Sequence, residues 1–374
     1  MNEQPIRVLQ VIGIMNRGGA ETMVLNLYRN IDRSRVQFDF VENETEQPAV
    51  FDQEILSLGG RIYHCPKFVG KNIIRYKKWW DDFFREHSGE YKVVHGHIGS
   101  TAAIYLKAAK KHGMYTIAHS HGKNGVKSFR TSAYQLISYR TRFIADFFFG
   151  CSAIAGEDRF GKKVVGSDRY RIFNNAVDVE RFKYDPDLRT AVREKLGVRE
   201  EEYVIGHVGR FDSAKNQIYL IEIFNEINKK RKDVRLILVG DGSAREKVQL
   251  RAEELGLTDR IMFLGIRSDV PDLLQAMDIM VFPSKNEGLP VTLVEAQASG
   301  LACVISDGVP ADSIIAKDLV TVCSLKDSPE IWADHVISKL GEERRDHSCD
   351  VAEAGFDIKQ TAKWIEEFYI EKSK

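Results

Sequence analysis

The chain has no apolar run near the ~20 residues a membrane-spanning helix needs, no CxxC pair and no net charge. Each absence excludes something. Its five cysteines (Cys65, Cys151, Cys303, Cys323 and Cys349) are scattered, which suits neither a zinc site nor a disulfide framework, so a reducing cytoplasm is expected. The opening apolar run is short and is interrupted by Gln10; it reads as a first strand, not a secretion signal. Lys+Arg and Asp+Glu balance at 54 each, which argues against a nucleic-acid binder acting through overall charge. No repeat or low-complexity tract is visible. What remains, 43% hydrophobic and 29% charged residues over 374 positions, is a globular composition long enough for two cores.

Short apolar runs alternate with helical periodicity. Strands are expected at 6–14, 38–41, 93–94, 115–118 and 147–151, with helices at 21–29 and 101–112. The pattern restarts with strands at 203–208, 235–239, 261–264, 279–283 and 302–306. Helices are expected between them, near 217–230, 245–254, 270–275 and 293–299. Strand–helix alternation predicts parallel sheets covered on both faces. The expected fold is α/β: two Rossmann-like doubly wound domains facing across a cleft. The turn-rich stretch around Asn174–Asp178 sets the boundary, giving 1–178 and 179–355, with a helix over 356–374 packing back on the first domain.

In such folds ligands lie beyond the carboxyl ends of the strands, so the residues there carry the argument. Gly18-Gly19 precedes a helix and lets a ligand approach its free amides, but the spacing is not GxGxxG, which disfavours a nicotinamide dinucleotide. His95 and His97 follow one strand and His119 and His121 the next. Histidines so placed can bond sugar hydroxyls or move protons. With no acidic or cysteine partner in view, no metal is expected on them. Arg210 and Lys215 could clamp a diphosphate; alone, they would read more simply as a solvated basic loop. Glu287 and Glu295 flank the start of a helix. Carboxylates accept paired bonds from sugar diols and a helix start receives phosphate, whereas the bland reading is two surface acids on a capped helix. Asp185-Pro186-Asp187 has the letters of a DxD metal motif but no preceding strand, and reads as coincidence.

These segments together resemble glycosyltransferase family four, a retaining family of GT-B fold, most of all its polysaccharide-synthesis branch. The resemblance spans nearly the whole chain and rests on GGAE at 18–21, AHSHG at 118–122, NNAVD at 174–178, VGRFDSAKNQ at 208–217, LVGDG at 238–242 and FPSKNEGLPVTLVEAQASG at 282–300. It implies catalytic roles for His119, Glu287, Arg210 and Lys215. It implies donor contacts from Gly19, Asp241, Gly288, Leu289, Val291, Thr292 and Glu295, with His97 and His121 at the acceptor side or rim. Glu287 would touch the donor sugar, Glu295 the ribose, and Arg210 with Lys215 the leaving diphosphate. Pro290 stands where several relatives carry glycine, which removes one N–H. Segment 306–312 lacks the common Gly-Gly-x-Pro-Glu.

The implied reaction moves a hexosyl group from a nucleoside diphosphate sugar, a UDP-sugar by default, to a hydroxyl of a lipid-linked or oligosaccharide acceptor. Positive charge in the site takes the place of a divalent ion, so no cofactor is expected. The stretches 67–85 and 123–149 mix cations with aromatics; they suit either an anionic membrane face on the cytoplasmic side or ordinary core helices. Two other readings share the fold: a non-catalytic nucleotide-sugar-binding scaffold and a sugar-nucleotide epimerase. A phosphorylase is a further rival, but no motif marks a pyridoxal phosphate lysine.

Overall fold

The computed structural model describes residues 4–16, 18–122 and 138–374. It divides into two compact units, Met1–Ala176 with Ile358–Lys374, and Val177–Asp357.

The first unit holds β1 (Ile6–Val11), β2 (Val36–Asn43), β3 (Ile62–Cys65), β4 (Tyr91–Gly96), β5 (Tyr115–Ser120), β6 (Phe147–Gly150) and β7 (Tyr170–Ile172). All pair in parallel, in the order β3-β2-β1-β4-β5-β6-β7. Helices bury both faces, as parallel sheets require. On one side Tyr76, Trp80, Phe83 and Phe84 of the Ile73–Glu86 helix pack with Tyr105 and Leu106 of the Ala102–Lys111 helix. The aromatic stripe of 67–85 is therefore core, and the outward side of that helix carries Ile74, 82% exposed. On the other side the Ile358–Lys372 helix sets Ile365, Phe368 and Tyr369 against the Gly19–Asn30 helix and the sheet, with Tyr369 edge-on to Phe38. Each such side chain contributes roughly 1.5–3 kcal/mol on burial.

The second unit holds β8 (Tyr203–Val208), β9 (Val234–Val239), β10 (Ile261–Gly265), β11 (Ile279–Phe282), β12 (Ala302–Ser306) and β13 (Val320–Cys323). These too are parallel, ordered β10-β9-β8-β11-β12-β13. In both sheets the strand order reverses direction once, between β1 and β4 and between β8 and β11. Such switch points splay the flanking loops apart and open a crevice. The α/β, doubly wound expectation holds for each unit. The first strand is shorter than expected, ending at Val11, although the Ile12 amide still bonds the Val41 carbonyl at 3.0 Å.

Candidate active site

In the second unit the site residues gather at the β8/β11 switch point. The loop after β8 is shaped by Asp212, whose carboxylate accepts from the amides of Ala214 and Lys215 at 2.9 and 3.0 Å. Asn216 completes the turn with φ +60°, a conformation asparagine tolerates, and its amide donates to the Pro283 carbonyl at 3.1 Å. The Lys285 amide bonds the Ala214 carbonyl at 2.7 Å. These bonds tie the β8 loop to the β11 loop and bring Lys215 to Glu287: Nζ lies 2.8 Å from Oε1 and 4.6 Å from the Phe282 ring centroid. Arg210 of the same loop is exposed. Gln217 braces the strand end, donating to the Arg210 carbonyl at 2.7 Å and lying 3.3 Å from Nε2 of His207. Burial holds His207 down at about 4, so it is a neutral structural group.

The loop after β11 runs through Gly288 and Leu289 into the Val291–Ala298 helix. Pro290 is the residue before that helix, and no side chain caps it. The N–H that proline lacks thus lies outside the first turn, and the amides of Val291 and Thr292 still head the helix. Glu295 sits one turn in, and burial raises its carboxyl to about 7, with Arg181 pulling the other way. Gly308 lies against the carbonyls of Ser284 and Lys285, closer than a Cβ would permit, and accepts from the Glu287 amide at 3.3 Å. Segment 306–312 therefore still supports the Glu287 loop. Asp241 follows β9 and is turned toward Arg245 at 3.3 Å, while its carbonyl accepts from the Phe211 amide at 3.0 Å. Asp185 caps the Pro186–Lys195 helix by accepting from the amides of Asp187 and Leu188, which accounts for the DxD letters without a metal.

In the first unit the histidines gather at the β1/β4 switch point and the neighbouring strand β5. His95 and His119 are buried; His97 and His121 are partly exposed. Their rings stack, with centroids 4.0 Å apart for His119 and His121 and 4.3 Å for His95 and His97. Burial drives all four well below the ordinary histidine value, His121 to about 3. His95, His97 and His119 each bring a ring nitrogen within 4.8 Å of the others, a spacing that could hold a metal ion. Gly19 opens the Gly19–Asn30 helix, and among the described residues no side chain caps it and nothing lies within 4 Å of where a Cβ would stand.

Three groups were not singled out from sequence. Gln10 and Tyr369 both bond the histidines. Glu42, at the end of β2, has a carboxyl raised to about 7 by burial, with Asp52 adding repulsion. The signal for Gln10 was present, since it is the polar residue that breaks the first apolar strand. Of the basic–aromatic stretch 123–149, residues 123–137 lie outside the described ones. Beyond them Tyr139 and Phe143 are exposed and line a groove with Ile73, Lys77, Lys107 and Lys111. Among the described residues no helix is long and apolar enough to cross a membrane.

Residues 17–181 match the family described as Glycosyltransferase Family 4, and residues 189–354 the one described as Glycosyl transferases group 1. EpsF of Bacillus subtilis, which carries the name of a glycosyltransferase, is 34% identical over 369 residues, covering 96% of this chain and 95% of that one. CapH of Staphylococcus aureus, named as a capsular polysaccharide biosynthesis glycosyltransferase, is 24% identical over 384 residues, covering 98% and 99%. The crystal structure of Alr3699/HepE from Anabaena in complex with UDP superposes with a TM-score of 0.79 at 19% identity, over 98% of this chain and 100% of that one.

Proposed function

The chain belongs to glycosyltransferase family 4, a transferase of GT-B fold, and we propose that it moves a hexosyl group from a UDP-sugar to an acceptor hydroxyl during polysaccharide synthesis, with retention. The observation that carries this reading is the Lys215–Glu287 pair at the β8/β11 switch point, beside an uncapped helix start and Glu295. The polysaccharide setting is supported by the name of CapH, and the uridine base by the UDP bound to HepE.

In this reading the second unit holds the donor. Glu287 accepts hydrogen bonds from sugar hydroxyls and Glu295 from the ribose. Gly288 and Leu289 shape the loop, and the amides of Val291 and Thr292 meet the phosphates. As the glycosidic bond breaks, negative charge grows on the diphosphate, where Lys215, Arg210 and the helix start stabilise it. That positive charge does the work a divalent ion does elsewhere, so the reaction is proposed to need no cofactor. The leaving phosphate takes the acceptor's proton on the same face, which preserves configuration. The first unit takes the acceptor, through His119 and Gly19, with His97 and His121 at the rim. Lys77, Lys107 and Lys111 beside exposed Tyr139 and Phe143 suit contact with an anionic cytoplasmic membrane face and a lipid-linked acceptor.

The test is a panel of nucleotide sugars with chelator present, read by thermal stabilisation and donor hydrolysis, for wild type and Glu287→Ala. One UDP-sugar should stabilise the protein and be slowly hydrolysed, both less so in the variant. No response to any nucleotide sugar would overturn the reading.

A further inference from the structure

The four histidines are wired to one central side chain. Gln10 on β1 lies between two arms. Its Nε2 donates to the Tyr369 hydroxyl at 3.4 Å, and that hydroxyl lies 2.6 Å from Nδ1 of His95. Nε2 of His95 lies 3.2 Å from Nδ1 of His119. On the other arm Oε1 of Gln10 lies 2.9 Å from Nε2 of His97, and Nδ1 of His97 lies 2.8 Å from Nε2 of His121. Each arm ends on a buried nitrogen with no hydrogen-bond partner among the described residues: Nε2 of His119 and Nδ1 of His121. Phe149 and Phe173 flank His119 with ring centroids 5.6 and 5.5 Å away, and neither can bond it.

A neutral imidazole carries one N–H and one lone pair, so each bond in an arm fixes the next. The Gln10 amide donates to Tyr369, so the tyrosine proton goes to Nδ1 of His95. His95 then carries its proton on Nε2 and donates to Nδ1 of His119, leaving an N–H at the free Nε2. On the other arm the Gln10 oxygen accepts from Nε2 of His97. His97 therefore accepts at Nδ1 from Nε2 of His121, leaving a lone pair at the free Nδ1. Turning the Gln10 amide over reverses every bond and both ends together. In either orientation all four histidines share one tautomer, and the two free nitrogens are of opposite character.

We propose that Gln10 and Tyr369 are positioning residues that set the tautomers of His119 and His121 in opposition, making the stacked pair a receptor for a ligand hydroxyl. A hydroxyl accepts one hydrogen bond and donates one, which is the pair of roles that the two free nitrogens of these stacked rings leave open. A carboxylate only accepts and an ammonium only donates, so either would leave one end mismatched. This rests on the reading that the first unit binds sugar hydroxyls.

The experiment is tautomer assignment by long-range proton–nitrogen correlation on full-length protein labelled with 15N-histidine at pH 7.5, which needs no substrate. Wild type should show His95, His97, His119 and His121 in a single tautomer. Gln10→Glu places an acceptor on both arms and should split them: His97 and His121 with the proton on Nε2, His95 and His119 on Nδ1. Tyr369→Phe should free His95 and His119 while His97 and His121 stay fixed. Methyl α-D-glucopyranoside should shift Nε2 of His119 and Nδ1 of His121, and acetate should shift neither. Mixed tautomers in wild type, an unsplit Gln10→Glu spectrum, or a cobalt(II) absorption band that disperses these signals would overturn the wiring. Equal response to acetate, or none to the glucoside, would overturn the hydroxyl receptor. Failure of the UDP-sugar panel would leave the tautomer result standing, so the two readings fail separately.

Discussion

Lys215 Nζ sits 2.8 Å from Glu287 Oε1, joining the loops after β8 and β11 at the point where the strand order of the second sheet reverses. Both side chains are mostly buried, 20% and 11% exposed, so the pair is not an ordinary surface bridge. In the proposed reaction Lys215 must share itself with the diphosphate. Lys215→Ala should weaken UDP binding roughly 10- to 100-fold, the worth of a charge-assisted hydrogen bond. Glu287→Gln should leave UDP binding unchanged or tighter, because the lysine is released, yet lower transfer from UDP-sugar about 100-fold. Calorimetry with UDP beside a transfer assay separates the two. Weakened UDP binding in Glu287→Gln would mean that the carboxylate holds the lysine in place, not the sugar.

The strands that reach the site were legible because parallel strands buried on both faces are continuous apolar runs, as in YVIGHV and IMVF. Those that escaped notice, Ile62–Cys65, Tyr170–Ile172 and Val320–Cys323, are three or four residues long and lie at or near a sheet edge, where half-exposure dilutes the pattern. Lys215 and Glu287 were legible as separate strand-end residues, but their contact was not, because it depends on the Asp212 turn and the strand order. The Gln10–Tyr369 bond joins residues 359 positions apart, and no local pattern carries it. The aromatic stripe of 67–85 was ambiguous for a related reason. Helical spacing shows that a face is apolar and does not say what covers it.

Glu295 gives a pH prediction. Its carboxyl is raised to about 7 by burial, and only the ionised form accepts both hydrogen bonds of a ribose diol. Affinity for a UDP-sugar, whose diphosphate is a diester, should therefore rise with pH through about 7 and level off above 8. Glu295→Gln should be flat across the same range. A wild-type profile already flat from 6 to 8 would place the ribose elsewhere.

Two glycines should respond in opposite ways to alanine. Gly240 has φ +129°, and a Cβ there would overlap the carbonyl of Gly209. Backbone against backbone cannot yield cheaply, so Gly240→Ala should cost about 3 kcal/mol and lower the unfolding temperature of the second unit on the order of 10 °C. Gly19 opens a helix into free space. Gly19→Ala should leave Tm unchanged or slightly higher while transfer falls, since a methyl group would meet the ligand there. A fully active Gly19→Ala would remove Gly19 from the site.

The histidine cluster should make the first unit acid-sensitive. His95, His97, His119 and His121 are all held below the free value of 6.5, so below about 6.5 the unfolded chain binds protons that the folded one refuses. Their stabilising effect is present above that pH and is lost as pH falls, at about 1.4 kcal/mol per pH unit for each histidine. Glu42 runs the other way. Its folded value is raised to about 7 from 4.5, so its contribution is present below 4.5 and is lost as pH rises toward 7, offsetting one histidine in the window between. A net uptake of about three protons should accompany unfolding of this unit near pH 5.5. Urea transitions at pH 7.5, 6.5 and 5.5 in a Trp332→Phe background, which leaves Trp79, Trp80 and Trp364 to report on the first unit, would measure it. Replacing His119 and His121 together by glutamine should cut that uptake to about one. An unchanged pH slope in the double variant would mean that these two rings accept protons in the folded protein.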